Sequence, residues 1–141
     1  MESTKIISPI AQVSIFKRGQ NVQLTNNFHL REFECKCGEC AHTLVDLDHV
    51  DRLEKLRRFF NRKITITSGF RCAEYNKVVG GVLDSQHTLG TATDIQIKDA
   101  TPWEVYTAAI GIFDGVGVYD TFVHVDSRSE EARWDKRTRK V

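Results

Sequence analysis

The stretch Ser85-Gln86-His87-Thr88-Leu89-Gly90-Thr91-Ala92-Thr93-Asp94 decides how this chain reads. It sets a histidine and a carboxylate seven residues apart, across a turn of small and polar residues. From Thr93 to Ile97 polar and apolar residues alternate, which predicts a strand with Asp94 and Gln96 on one face and Ile95 and Ile97 on the other. Thirty residues after Asp94, Phe122-Val123-His124-Val125-Asp126 alternates again, with His124 and Asp126 opposite the valines. A carboxylate beside apolar strand residues is costly unless something compensates it. Two imidazoles and one carboxylate match a catalytic zinc site, which uses three protein ligands and leaves a fourth position for water. Water held there becomes a usable nucleophile near neutral pH. His87, Asp94 and His124 therefore point to a metal-dependent hydrolase, with a Zn²⁺ ion as the expected cofactor.

The flanking sequence supplies the frame. From Asp46 to Phe60 the pattern is helical, with Val50, Leu53, Leu56 and Phe60 on one face and Asp46 or Asp48 as cap. Lys63 to Thr67 reads as a strand, and Ala73 to Val79 as a short helix stopped by Gly80-Gly81. Thr101-Pro102-Trp103-Glu104 combines a cap, a proline at the first helical position and a capping-box glutamate, so a helix is predicted to run to about Phe113. Gly115 to Tyr119 and Phe122 to Asp126 read as a strand pair around an Asp120-Thr121 turn. Interspersed elements with short connections predict an α+β fold: a single small domain, an antiparallel sheet and flanking helices. Residues 1–25 read as an arm or edge segment, 26–134 as the domain and 135–141 as a basic tail.

At 141 residues the chain is long enough for one domain with a substantial core. A net charge of +1 argues against nucleic acid as a partner. It also makes a cysteine-rich nucleic-acid binder the weaker alternative. The last fourteen residues are locally basic, and a solvated tail is the simplest reading of them. No apolar run approaches a membrane span, so no membrane insertion is expected. The N-terminus lacks the zones of a signal peptide, predicting a chain made in the cytoplasm, expected as a monomer.

His29, His42 and His49 have no partner pattern and read as surface or satisfied core residues. The cysteines leave three readings open. Cys35-Lys36-Cys37-Gly38-Glu39-Cys40 is dense and Cys72 is distant. Four thiols suit a structural zinc site, two disulfides, or free thiols in a reducing compartment. The spacing is not the paired pattern of a zinc ribbon. Structural metal or thiol clustering ranks slightly ahead of disulfides, and either link would tie the loop at 35–40 to the one carrying Arg71.

The ten-residue stretch from Ser85 to Asp94 resembles the first zinc motif of the LAS peptidases. That group includes zinc D-alanyl-D-alanine carboxypeptidases, phage peptidoglycan endopeptidases and the amino-terminal domain of hedgehog proteins. Thr67-Ser68-Gly69-Phe70-Arg71, Gly115-Val116-Gly117-Val118-Tyr119 and Phe122-Val123-His124-Val125-Asp126 extend the resemblance across roughly residues 26 to 134. It implies a hedgehog/DD-peptidase-like fold with one catalytic zinc on His87, Asp94 and His124. It gives Arg71 a substrate carbonyl or carboxylate to hold, for which a guanidinium fork is suited. Ser85 and Gln86 become substrate contacts or plain turn residues, and Tyr75 and Asn76 packing residues. Relatives usually carry an acidic residue three positions before the last zinc histidine, where this chain has Thr121. Asp120, one step away, is then the expected proton shuttle, with Asp126 as support or substrate contact. The implied activity is hydrolysis of peptidoglycan stem peptides at or next to D-amino acids, as carboxypeptidase or endopeptidase. A phage lysin released through the membrane and a cytoplasmic precursor-trimming enzyme both fit. The alternative is an inactive, metal-stabilised binding or virion module of the same fold.

Overall fold

The computed structural model describes residues 13–139. Two small antiparallel ladders precede the main sheet. Strand β1 (Val13–Lys17) pairs with β4 (His42–Asp46), and β2 (Gln23–Thr25) pairs with β3 (Phe28–His29). Within the expected arm, Val13–Lys17 and Gln23–Thr25 are strand, and residues 1–12 lie outside the described residues. Strand β4 was not anticipated. Its three inward side chains, Thr43, Val45 and Asp46, are buried without a clean alternation.

Asp46 ends β4 and caps α1 (Leu47–Phe60) by accepting a hydrogen bond from the Asp48 amide. The predicted face is buried: Val50, Leu53 and Leu56 are inaccessible, and Phe60 packs at the margin of the core. Asn61 closes the helix in a left-handed conformation. Strand β5 (Ile64–Ser68) and the short helix α2 (Ala73–Val78) follow, then β6 (Ala92–Ile97). Helix α3 (Pro102–Ala109) opens with the full capping box of Thr101 and Glu104. It ends at Ala109, four residues before the expected Phe113. The amides of Gly111 and Ile112 close tighter turns there, on the carbonyls of Ala108 and Ala109, and Arg133 donates to the Ile110 carbonyl. Phe113 still reaches the core.

The main sheet adds β7 (Gly115–Val118), β8 (Val123–Asp126) and β9 (Ala132–Asp135), in the order β5-β6-β8-β7-β9. Its pairs are antiparallel except β7 with β9, which run parallel. Because side chains alternate, one face carries Ile64, Ile66, Ile95, Ile97, Val116, Val118, Val123 and Val125 against α1 and α3. Each such side chain stabilises the fold by roughly 1.5–3 kcal/mol when fully buried. The α+β fold is as expected. The C-terminal stretch is a correction: β9 occupies 132–135, and the Arg137 guanidinium pairs with Asp135. Thr138 is held by Asp120, so the stretch read as a solvated tail is docked through these residues. Among the described residues, no helix is long and apolar enough to cross a membrane.

Candidate metal centre

The opposite face of the sheet carries the polar residues. Register places Asp94 of β6 beside His124 of β8, His124 beside Gly117 of β7, and Gly117 beside Trp134 of β9. One row across four strands therefore builds half of the site. The glycines of β7 are required there. A Cβ on Gly117 would collide with the Trp134 indole, and one on Gly115 with the Asp126 carboxylate.

His87 arrives from a 3-10 turn, Gln86–Leu89, capped by the Ser85 hydroxyl, which accepts from the His87 amide at 3.1 Å. Gly90 ends the turn at φ +79°, a left-handed conformation that glycine adopts without strain, pressed against the backbone of Leu44. The Asp46 amide donates to the Gly90 carbonyl at 3.0 Å and the Arg71 amide to the His87 carbonyl at 3.1 Å. The turn is thereby tied both to β4 and to the Arg71 loop.

The two imidazoles are oriented from outside. His87 Nδ1 lies 2.7 Å from the Gly69 carbonyl, which can only accept, so Nδ1 carries the proton and Nε2 faces inward. His124 Nε2 lies 2.7 Å from Asp126 Oδ2, leaving Nδ1 to face inward. Both inner nitrogens lie 3.1 Å from the same oxygen, Asp94 Oδ1. The three ligand atoms lie within 4.8 Å of one another, and His87, Asp94 and His124 are 2%, 7% and 8% exposed. A buried N, N, O donor set with both outer nitrogens anchored is what a zinc ion requires.

Electrostatics agree. Burial would raise the Asp94 carboxyl, but hydrogen bonds from His124 and His87 outweigh it and hold the group well below the usual range. Burial likewise disfavours charge on His124, and Asp126 and Asp94 overcome it, raising the imidazole. Asp126 is held low because Arg128 and His124 outweigh its burial. The centre thus favours positive charge between two carboxylates.

Arg71 stands at its edge. The guanidinium donates to Ser68 Oγ at 3.1 Å, Asn76 Oδ1 at 3.1 Å and Asp94 Oδ2 at 3.2 Å. A groove of about 790 Å³ opens over the centre, lined by Arg71, Ser85, Gln86, His87, Asp94 and His124. Val79 to Asp84 form another part of its lining, as do Tyr119, Phe122, Arg128, Trp134 and Lys136. Tyr119 and Phe122 stack at 4.4 Å, and the Trp134 indole lies 5.2 Å from the His124 ring.

The structure brings together His87, Asp94, His124, Arg71, Ser85 and Gln86. It does not bring Asp120 to the groove, and here the expected proton shuttle is displaced. Both Asp120 oxygens accept from Thr138, at 2.8 Å and 2.9 Å, because the docked C-terminal stretch lies beside that turn. Asp126 is fully buried behind His124 and clamped by Arg128 at 2.8 Å and 2.7 Å, which is the supporting role. Asn76, expected to pack, instead holds Arg71 and donates to the Val82 carbonyl at 2.7 Å. Arg128 and Trp134 escaped the sequence reading. The Asp126-Ser127-Arg128 spacing was the available signal for the former, while Trp134 is placed only by the β7–β9 pairing. His49 is a satisfied core histidine between Ser127 and Thr93, His29 caps a turn, and His42 is exposed on β4. The four cysteine sulfurs converge in a second cluster.

A mixed sheet that presents two anchored histidines and an aspartate beneath an open groove forms a candidate zinc centre of the catalytic kind. The family model for peptidase M15 matches residues 26–126, and the chain belongs to that family of zinc metallopeptidases. No curated protein matches the chain.

Proposed function

We propose that the chain is a zinc-dependent peptidase that hydrolyses peptidoglycan stem peptides, as a D-Ala-D-Ala carboxypeptidase or a cell-wall endopeptidase. The observation that carries this reading is the convergence of His87, Asp94 and His124 with Arg71 at one end of an open groove. Zinc bound by these three residues supplies a Lewis acid and a water activated near neutral pH.

The chain's own residues do the rest. Gly69 and Asp126 fix both ring orientations. Arg71 has five N–H donors. Ser68, Asn76 and Asp94 engage some of them, and those left suit a peptide carbonyl or terminal carboxylate. Tyr119, Phe122 and Trp134 offer apolar surface to short side chains, and Val79, Val82 and Leu83, which follow α2, line the same groove. Proton transfer falls to a group lining the groove, and Asp84 is the carboxylate there apart from Asp94. In this reading the chain works as a monomer, on the wall once released as a phage endolysin is, or on cytoplasmic precursors.

The test is digestion of purified peptidoglycan, with the cut bond assigned by mass spectrometry. Release of D-alanine marks a carboxypeptidase and separation of stem fragments an endopeptidase, and a chelator should abolish either until zinc is restored. A zinc-loaded chain that cuts nothing favours the second reading, an inactive binding or virion module. That reading draws on Thr121 in place of the usual acid and on Asp120 being turned away.

A further inference from the structure

We propose that Cys35, Cys37, Cys40 and Cys72 bind a second, structural zinc ion through four thiolates. This inference does not rest on the peptidase reading, because none of the four lines the groove. The four sulfurs lie within 4.8 Å of one another. Tetrahedral zinc with Zn–S of about 2.3 Å separates its sulfurs by about 3.8 Å. Cys35 and Cys72 are 3.8 Å apart and Cys37 and Cys40 3.2 Å. Two disulfides would draw sulfurs together in pairs at about 2.05 Å and would not need all four to converge.

The backbone is arranged for thiolates. The amide of Glu39 donates to Cys37 Sγ at 3.3 Å, that of Cys72 to Cys35 Sγ at 3.4 Å, and that of Tyr75 to Cys72 Sγ at 3.4 Å. Such outer donors orient and stabilise metal-bound sulfur. The Cys35–Gly38 turn closes through a Gly38 amide bond to the Cys35 carbonyl, with Gly38 at φ +78°. Arg18 braces the loop from behind, donating to the carbonyls of Cys40 and Cys35 while Glu34 pairs with it.

Three ligands come from the loop at 35–40 and the fourth follows Arg71 directly. The same two segments meet where the Phe70 amide donates to the Phe33 carbonyl at 2.9 Å, with Gly69 against the Phe33 backbone. The second ion therefore staples the loop to the segment that positions Arg71.

Zinc content and cobalt spectra of the reduced protein test this. Wild type should hold two equivalents of zinc, His87→Ala/His124→Ala one, and Cys37→Ser/Cys40→Ser one. Cobalt-loaded His87→Ala/His124→Ala should show thiolate-to-cobalt charge transfer, a signature that the His/Asp/His centre, having no sulfur, cannot produce. If the cysteine variant does not fold, that spectrum decides alone. The proposal is overturned if the histidine variant holds no metal, or if its cobalt form lacks the charge-transfer band. It also fails if mass spectrometry of protein purified without reductant finds Cys35–Cys72 and Cys37–Cys40 disulfides that reduction and added zinc do not convert to the metal form. Failure of the His87, Asp94 and His124 assignment would instead remove the other equivalent, failure of the peptidase reading alone would leave both equivalents and no hydrolysis, and either would leave the cobalt–thiolate band intact.

Discussion

Asp126 has no access to solvent, yet it carries two obligations, the His124 ring and the Arg128 fork. Asp126→Asn keeps the shape but weakens the anchor on His124. Zinc affinity should fall about 10–100-fold, the usual cost of losing such a partner, and competition with a chromogenic chelator measures it. Unchanged affinity would show that His124 is oriented without it. Arg71 makes three bonds with three different nitrogens, a geometry that an ammonium cannot reproduce. Arg71→Lys should therefore fail to restore hydrolysis on any substrate the wild type cuts, and wild-type turnover would remove Arg71 from the site. Asp120 makes the opposite case. Its bonds run to Thr138, so Asp120→Asn should retain near-full hydrolysis while loosening the C-terminal stretch. A loss of about 10²–10⁴-fold in rate, the scale of general acid–base catalysis, would reinstate it as the shuttle.

Strand β7 shows how an element can be essential through what it lacks. Its valines fill the core, and its glycines leave room on the other face for the Asp126 carboxylate and the Trp134 indole. Gly117→Ala should force Trp134 off the His124 ring and destabilise the fold by about 1–3 kcal/mol, the range for overpacking. Thermal unfolding and near-UV circular dichroism of the indole report the two effects. An unshifted melting temperature with an unchanged aromatic signal would mean that β9 yields freely. Helix α3 teaches a smaller lesson. Its start was readable because a capping box is local chemistry. Its end was not, because the closing partner, Arg133, comes from a strand more than twenty residues later.

At the scale of the molecule, His49 links the core to acid stability. Burial holds its imidazole at about 3, against the ordinary 6.5. Between those values the unfolded chain binds the extra proton, so stability is fully present above pH 6.5 and is lost as pH falls towards 3. The contribution is on the order of a few kcal/mol. Urea unfolding across this range should show a shallower pH slope for His49→Gln than for wild type, and equal slopes would contradict the assignment. The sequence by itself determined the α+β class and the main helices and strands, while the resemblance of its motifs singled out His87, Asp94 and His124 as candidate ligands. The elements follow from local capping and from alternation that assigns each residue a face. Only tertiary structure decided that Asp120, the expected shuttle, is turned away. Alternation already set Asp126 on the face of His124, but that Asp120 meets Thr138 on a docked C-terminal stretch depends on a partner eighteen residues away. Tertiary structure also decided that Asn76 holds Arg71, that Trp134 stands over His124, and that Cys72 joins Cys35, Cys37 and Cys40. Each of these depends on contacts between segments distant in the chain, which the alternation of a single strand does not encode.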